Sequence, residues 1–211
     1  MDPTRLWFLR HGEIEERFVG TILGSTDVGL SPLGRHQAEA VKEYLKEAPL
    51  DAIVASPLRR ARDTVAPLAA ARGIPVEVRK GFAEMDFGQW DGLTWEAVKA
   101  KDGEKAIAWE RDPATVAPPG GESADMFFAR IEGELTRLLQ EFKGRSVVLG
   151  GHSGVNRAIL AHILKRPYMD CFAFAQDYGC LNAAGWSAET GFGQVALVNF
   201  VPGPRAKAQG D

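Results

Sequence analysis

The sequence predicts a three-layer α/β/α sandwich with a mostly parallel central sheet and an antiparallel edge strand. Short apolar runs suited to buried strands alternate along the chain with segments of helical periodicity. Such alternation is typical of a parallel sheet covered by helices on both faces. Two late apolar segments, 181–186 and 194–200, indicate a hairpin at a sheet edge. The 211 residues suffice for one domain with a substantial core, so we expect a single domain over 1–211.

Apolar patterns and boundary signals place the elements of this sandwich. Before the late hairpin, strands are expected at 5–9, 52–55, 75–78 and 146–150. Ser-Pro pairs, which are typical of a helix start, begin two of the helices. The expected helices lie at 33–48, from 57 to 72, from 123 to 142 and at 154–164.

The stretch 81–121 departs from this alternation. It mixes acids, glycines and prolines with the aromatic residues Phe82, Phe87, Trp90, Trp95 and Trp109. We expect one or two short helices there, packed as a lid or specificity region. Its tryptophans are interpreted as packing residues rather than as platforms that stack on a substrate. The polar tail 202–211 is expected to be frayed.

Composition excludes several classes of protein. The chain is 45% hydrophobic and 25% charged, which are ordinary globular values. A formal charge of -3 gives no reason to expect a nucleic-acid or membrane partner. No signal peptide or run of ~20 apolar residues is visible, so we expect a cytoplasmic protein. Cys171 and Cys180 are too few for a disulfide framework and are expected to be reduced. A homodimer is compatible with the sequence.

Basic side chains follow three of the predicted strands. Arg10 and His11 follow the first strand, Arg59 and Arg60 follow the second, and His152 follows the fourth. Ligands of open α/β sheets bind outside the carboxyl ends of strands, where helix N-termini also favour anions. A cation in the first turn of a helix opposes the helix dipole by ~0.3–1 kcal/mol. The pattern therefore indicates an anion-binding pocket better than it indicates a stabilising feature.

These residue types suit phosphate chemistry. The planar guanidinium group of arginine binds phosphate or carboxylate through two parallel hydrogen bonds. A histidine beside arginines is kept neutral by like charge, and a neutral imidazole is a nucleophile. No His-x-x-x-His or close Cys/His pair is present, so we expect no metal.

Four segments resemble the histidine phosphatase (phosphoglycerate mutase-like) superfamily. Residues 10–12 are similar to its Arg-His-Gly signature, and 56–64 resemble its Ser-x-Leu-x-Arg-Ala-x-x-Thr segment, in which Arg60 takes the arginine position. Glu84 is similar to the family's proton donor, and 151–154 match the second histidine motif. The segments occur in the family's order over nearly the whole chain, and together they are a specific signal.

The resemblance implies a phosphatase that needs no cofactor and acts on a small phosphate monoester. It implies that His11 is phosphorylated during turnover. Arg10, Arg60 and His152 would hold the phosphate, and Glu84 would act as general acid and base.

Two positions depart from the family pattern. Arg17 stands where many members have asparagine, and Leu23-Gly24 replaces a common Gln-Gly. Arg17 is a candidate for an additional cation in the site. Gly24, Ser153 and Gly154 are the other candidates for substrate binding, although Ser153 is equally suited to capping the helix that follows it.

Within the superfamily the chain resembles α-ribazole phosphatases, which act on a cobalamin-precursor nucleotide, through segments 119–123 and 176–182. Two alternatives remain open. A phosphoglycerate mutase-type isomerase would use the same phosphohistidine, but the resemblance implies that such mutases are longer and carry lid segments absent here. A non-catalytic phospholigand-binding protein would need neither a nucleophile nor a general acid.

Overall fold

The computed structural model describes residues 3–204 and contains a six-stranded sheet in the order β3-β2-β4-β1-β5-β6. The strands are β1 (Thr4–Arg10), β2 (Ala52–Ala55), β3 (Val76–Val78), β4 (Ser146–Gly151), β5 (Leu181–Ser187) and β6 (Phe192–Phe200). The four strands from β3 to β1 are parallel, whereas β5 pairs antiparallel with β1 and with β6. The antiparallel part is therefore the edge hairpin that the two late apolar segments predicted.

Residues 3–204 contain five α-helices, of which all but the third cover a face of the sheet. They are α1 (Pro32–Leu45), α2 (Arg59–Arg72), α3 (Trp95–Arg111), α4 (Ala124–Glu141) and α5 (Ser153–Leu164). On one face, Val41 and Leu45 of α1 and Leu68 of α2 pack with Leu9 and Val148 of the sheet. A second cluster joins α4 and α5 to the opposite face. The three-layer arrangement predicted from the sequence is confirmed.

Three of the predicted helices begin at a serine, and in two of them the serine caps the observed helix. The hydroxyl oxygens of Ser31 and Ser123 accept backbone hydrogen bonds from the first turns of α1 and α4. The prediction for Ser56 is wrong, because α2 begins only at Arg59 and its N-cap is Leu58. The predicted end of α1 at residue 48 is also wrong, since the helix ends at Leu45 and the chain turns there towards β2.

The stretch 81–121 contains a helical hairpin. The backbone of Asp102 leaves helical geometry (φ -132°, ψ 41°) and divides α3 into two short helices. Trp95 Nε1 donates a 2.9 Å hydrogen bond to Glu110 Oε1, although 15 residues of straight helix would separate them by about 22 Å. The second half of α3 is therefore folded back on the first, in agreement with the expected short helices.

The loop after β1 lies directly on the first turn of α1. A Cβ atom on Gly34 would lie 2.0 Å from the carbonyl oxygen of Glu13, and one on Gly12 would lie 2.5 Å from the carbonyl oxygen of Gly34. The backbone amide of Glu13 also donates to the Gln37 side chain. These contacts require glycine at both positions and fix the chain immediately after His11.

Within residues 3–204, no helix is both long enough and apolar enough to cross a bilayer. Residues 202–204 form no regular structure. The remainder of the tail predicted to be frayed, 205–211, lies outside the described residues.

Replacing Gly34 with alanine is expected to destabilise the fold by about 1–3 kcal/mol, because the new methyl group overlaps the Glu13 carbonyl. The free energy of unfolding is measured by urea titration. Gly133→Ala is the matched control, since this glycine lies exposed in α4 with no atom within 4 Å of its added Cβ. The Gly133 variant should have a free energy of unfolding about 0.5–1 kcal/mol higher than that of the wild type. Equal effects of the two substitutions would contradict the predicted overlap.

Candidate active site

The predicted cationic residues meet where three strands end. His11 directly follows β1, His152 directly follows β4, and Arg60 lies in the first turn of α2. Because β4 lies between β1 and β2 in parallel register, Gly151 is opposite Arg10 and Gly150 is opposite Ala55. The ring centroids of the two histidines are 5.3 Å apart. The sheet topology thus brings together side chains that are up to 142 positions apart in the printed sequence.

The His11 ring is oriented by its own loop. Its Nδ1 atom lies 2.8 Å from the carbonyl oxygen of Gly12. A carbonyl oxygen only accepts, so Nδ1 carries the proton and Nε2 of the neutral ring keeps its lone pair. The Gly12 amide in turn donates a 3.0 Å bond to Thr64 Oγ1. The turn that holds the ring is therefore tied to α2.

Both imidazoles are kept neutral by their surroundings. Burial, followed by the charges of Arg60 and Arg10, lowers the pKa of His11 well below its usual range. Burial, with Arg60 next in effect, lowers the pKa of His152 in the same direction. Both effects disfavour the protonated ring. At neutral pH the His11 imidazole is available as a nucleophile.

Arg60 is fully buried and held by uncharged partners. Its terminal nitrogens donate to the carbonyl oxygens of Thr26 (2.8 Å) and Gly24 (2.9 Å). The Asp91 carboxylate accepts from the backbone amides of both of those residues and so fixes the loop that presents their carbonyls. A Cβ on Gly24 would lie 2.1 Å from the carbonyl oxygen of Met85. Gly24 therefore positions Arg60 through its backbone.

Arg10 is positioned by residues that the sequence did not single out. Its Nη1 donates a 2.6 Å bond to the carbonyl oxygen of Gln176, and its guanidinium lies 3.9 Å from the centroid of the Tyr178 ring. The Gln176 side chain is bonded to Asn156 and Asn182 in a buried amide network. The only sequence signal was the segment 176–182, which carried family resemblance without assigned roles.

His152 is held by Ser56. Its Nε2 lies 2.7 Å from Ser56 Oγ, and both side chains are fully buried. The hydroxyl that was expected to start α2 therefore orients an imidazole instead. His152 Nδ1 is buried without a hydrogen-bond partner among residues 3–204. Buried polar atoms of this kind are rare and call for a ligand or a water.

Glu84 lies at the N-terminus of α5. Its Oε2 accepts a 3.0 Å bond from the Gly154 amide, and its Oε1 accepts from the Met85 amide. Arg130 of α4 donates to the carbonyl oxygens of Gly81, Ala83 and Glu84 and so fixes the segment that carries this carboxylate. The role of Arg130 has no signal in the sequence, because it depends on the packing of α4 against a loop.

Arg10, His11, Arg60 and Glu84 line a pocket of about 170 Å³, which we call the phosphate pocket. His152 packs against the His11 ring and is not one of the pocket's lining residues. The lining includes two guanidinium groups, one imidazole and a single carboxylate, together with polar and apolar side chains; the residues are Arg10, His11, Ile14, Thr21, Leu23, Arg60, Glu84, Ser153 and Tyr178. The Nε atoms of Arg10 and Arg60 are buried with no partner among the described residues. This excess of donors suits a small oxyanion.

The four candidates for substrate binding divide into two groups. Ser153 lines the phosphate pocket, and Gly154 lies beside it with its amide bonded to Glu84. The structure does not bring Arg17 to the pocket, because its exposed side chain forms an ion pair with Glu15 and lies over Phe18. Gly24 contributes through Arg60, as described above.

Comparisons with known proteins agree with this geometry. The profile of the histidine phosphatase superfamily (branch 1) matches residues 6–199. The adenosylcobalamin/alpha-ribazole phosphatase of Salmonella typhimurium is 30% identical over 198 residues, covering 92% of this chain and 96% of its own. The glucosyl-3-phosphoglycerate phosphatase of Mycobacterium tuberculosis is 38% identical over 200 residues, covering 90% of this chain and 87% of its own. A putative alpha-ribazole-5'-P phosphatase from Escherichia coli has a similar structure, with a TM-score of 0.88 and 28% sequence identity. The match covers 94% of this chain and 97% of that one.

Fold and site together define a three-layer α/β protein with an oxyanion pocket at the carboxyl ends of its parallel strands. The profile match and the two relatives specify that class further. The chain belongs to the histidine phosphatase superfamily.

The lowered histidine pKa values predict how stability depends on pH. The unfolded chain takes up protons near pH 6.5, whereas buried His11 resists protonation, so this contribution is complete above pH 6.5 and is lost as pH falls below it. His11→Gln should reduce the difference between the free energies of unfolding at pH 7.5 and pH 5, because the variant has no imidazole to protonate in the unfolded chain. Urea unfolding at each pH, in phosphate-free buffer, measures the free energy of unfolding. His36→Gln, at an exposed position of α1, is the control, and an unchanged pH dependence in the His11 variant would contradict the argument.

Proposed function

We propose that this protein is a phosphomonoesterase that hydrolyses a small phosphorylated metabolite through a phospho-His11 intermediate. One observation carries the proposal. The Nδ1 contact with the Gly12 carbonyl leaves the Nε2 lone pair of His11 free in a pocket lined by two guanidinium groups. A neutral nucleophile beside fixed cationic donors is the arrangement that phosphoryl transfer requires.

In the first step, Nε2 of His11 attacks phosphorus in line with the ester bond. The N–P bond forms as the P–O bond to the leaving group breaks. The Glu84 carboxyl group gives its proton to the departing oxygen, so that the substrate's alcohol leaves neutral. The bond between the Gly154 amide and Glu84 supports this role, because it holds the carboxyl group at the pocket wall.

The non-bridging oxygens would be held by Arg10, Arg60 and His152. The unpartnered Nε atoms of both arginines and Nδ1 of His152 support this assignment. Leaving a buried donor unsatisfied costs about 1–3 kcal/mol, and a bound phosphate would relieve that cost. With Nδ1 protonated, the Nε2 atom of His152 accepts from the Ser56 hydroxyl. Fixed donors of this kind stabilise the charge that develops on the oxygens.

In the second step, water attacks the phosphorus of phospho-His11. Glu84, now a carboxylate, takes a proton from this water as the N–P bond breaks. Inorganic phosphate leaves, and His11 returns to its neutral form. Ser153 lines the pocket and would contact the phosphate at its rim. The Gly154 amide would act indirectly, through Glu84.

For the physiological substrate we propose α-ribazole 5′-phosphate. The alpha-ribazole phosphatase names of the Salmonella relative and of the Escherichia coli structure support it. The Mycobacterium relative, named as a glucosyl-3-phosphoglycerate phosphatase, provides a second compound to assay. We further propose that residues 1–211 form a single domain that acts in the cytoplasm as a homodimer, with 81–121 as its specificity region. Analytical ultracentrifugation tests the assembly.

An isomerase with the same phosphohistidine would return the phosphoryl group to its substrate. Release of inorganic phosphate from 3-phosphoglycerate, without formation of the isomer, separates hydrolysis from isomerisation. A purely binding protein would hold a phosphate ester without turnover at any pH.

His11→Ala is expected to lower kcat by at least about a thousandfold, because the covalent route is lost. The rate of phosphate release from saturating p-nitrophenyl phosphate measures kcat. Rapid acid quenching with ³²P-labelled substrate should trap label on the wild-type protein and none on the variant. His36→Ala, which changes an exposed histidine of α1, should retain both turnover and label. Wild-type turnover by the His11 variant would refute the mechanism.

Glu84→Gln is expected to affect esters according to their leaving groups. An alkoxide needs protonation to depart, so kcat for propyl phosphate should fall by about 10²–10⁴. A nitrophenolate departs unaided, so the variant should release a burst of nitrophenol and accumulate phospho-His11. Stopped-flow absorbance measures the burst. Equal losses on both substrates, without a burst, would exclude the acid–base role.

A further inference from the structure

A second cavity borders the phosphate pocket. It has a volume of about 440 Å³ and is lined by Ile22, Leu23, Phe87, Trp95, Trp109 and Glu110. We call it the aromatic cavity. Its size lies within the range of about 300–1,000 Å³ that is typical of small-molecule sites, and such sites are mainly apolar. Leu23 lines this cavity and the phosphate pocket alike.

A short backbone segment separates the two cavities. Thr21 and Leu23 line the phosphate pocket, whereas Ile22 and Leu23 line the aromatic cavity. The segment is fixed on its outer side, because the Ile22 amide donates to the Leu93 carbonyl at 2.8 Å and the Ile22 carbonyl accepts from the Gly92 amide at 2.7 Å. The partition is therefore one residue thick and held by backbone bonds.

The aromatic wall is preformed by the hairpin of α3. Trp95 is held by its bond to Glu110, and Lys99 pairs with the same carboxylate. The ring centroids of Trp95 and Trp109 are 5.5 Å apart. Both tryptophans remain partly exposed although they pack on the fully buried Trp90. Their surface is therefore available to a ligand without rearrangement of the core.

The aromatic cavity and the phosphate pocket both draw on the chain segment that carries Glu84. Phe87, which lines the aromatic cavity, follows Glu84 by three residues in the same segment. In the proposed mechanism Glu84 protonates the departing oxygen within the phosphate pocket, whose Leu23 wall also lines the aromatic cavity. The cavity's one charged side chain, Glu110, is already paired with Lys99. Among its lining residues no cation is present to bind a second acidic group.

We propose that the aromatic cavity binds the apolar, ring-bearing part of the alcohol that the substrate loses. This inference rests on the proposed phosphatase activity and specifies its substrate class. The enzyme prefers phosphate monoesters whose alcohol carries an apolar ring, and it discriminates against small polar or carboxylated esters. Trp95 and Trp109, which the sequence indicated only as packing residues, would supply the selectivity by stacking on the ring.

The test compares two alkyl esters whose leaving alkoxides are similarly basic, naphthylethyl phosphate and propyl phosphate. Wild-type kcat/KM should favour naphthylethyl phosphate by about ten- to hundredfold, as expected from burial of one bicyclic ring. Trp95→Leu should reduce this ratio about five- to tenfold. Trp95→Phe should restore most of it, because an aromatic face is kept. Phe87→Leu is a second variant, which should lower the ratio in the same direction.

Trp186→Leu is the matched control, since this partly exposed tryptophan packs on His162 at the far end of β5. It should leave both kcat/KM values unchanged. Hydrolysis of both esters with a ratio near one, or a ratio insensitive to Trp95→Leu and Phe87→Leu, overturns the assignment of the cavity while the phosphatase activity stands. Hydrolysis of neither ester means that the proposed function itself has failed.

Discussion

The site depends on two guanidinium groups, that of Arg60 buried and that of Arg10 partly buried, which are held by uncharged partners. Arg60 donates to the carbonyl oxygens of Gly24 and Thr26, and Arg10 donates to that of Gln176. Carbonyl dipoles orient these groups as well as carboxylates would, without placing a negative charge in direct hydrogen-bond contact with them. The same positive charges, added to burial, keep His11 neutral. One constraint therefore creates both the demand for an anion and the nucleophile that would attack it.

Satisfying the arginines requires loops from distant parts of the chain. The 24–26 loop is fixed by Asp91, and the carbonyl of Gln176 is fixed by an amide network with Asn156 and Asn182. Close approaches at Gly12 and Gly34 lock the turn after His11. Donors that are ordered before the ligand arrives need not be reorganised during reaction, which is the usual source of electrostatic catalysis. Much of the fold around the strand ends serves this preorganisation.

Beside this charged pocket the α3 hairpin builds a surface of the opposite character. The phosphate pocket is common to any phosphate ester, so its cations and imidazoles cannot choose among alcohols. The aromatic cavity contains almost no polar groups and meets the pocket at Leu23. In the proposed function, the strand ends and Glu84 provide the chemistry, and the α3 hairpin provides the selectivity. Variation of the hairpin would change the preferred alcohol without disturbing the arginines.

The sequence by itself determined the layer architecture and the residues that follow each strand, because apolar periodicity and strand-end position are local properties. It thus predicted His11, Arg60 and His152 as neighbours, whereas only the resemblance to a family implied that Glu84 joins them. Tertiary structure alone decided the bonding of each group. Ser56 orients an imidazole instead of capping a helix, Tyr178 lies beneath Arg10, and Arg17 is retained by Glu15 outside the pocket. Such roles depend on which distant backbone carbonyls, rings and carboxylates come within about 3–4 Å. The spacing of residues along the chain does not determine these long-range contacts.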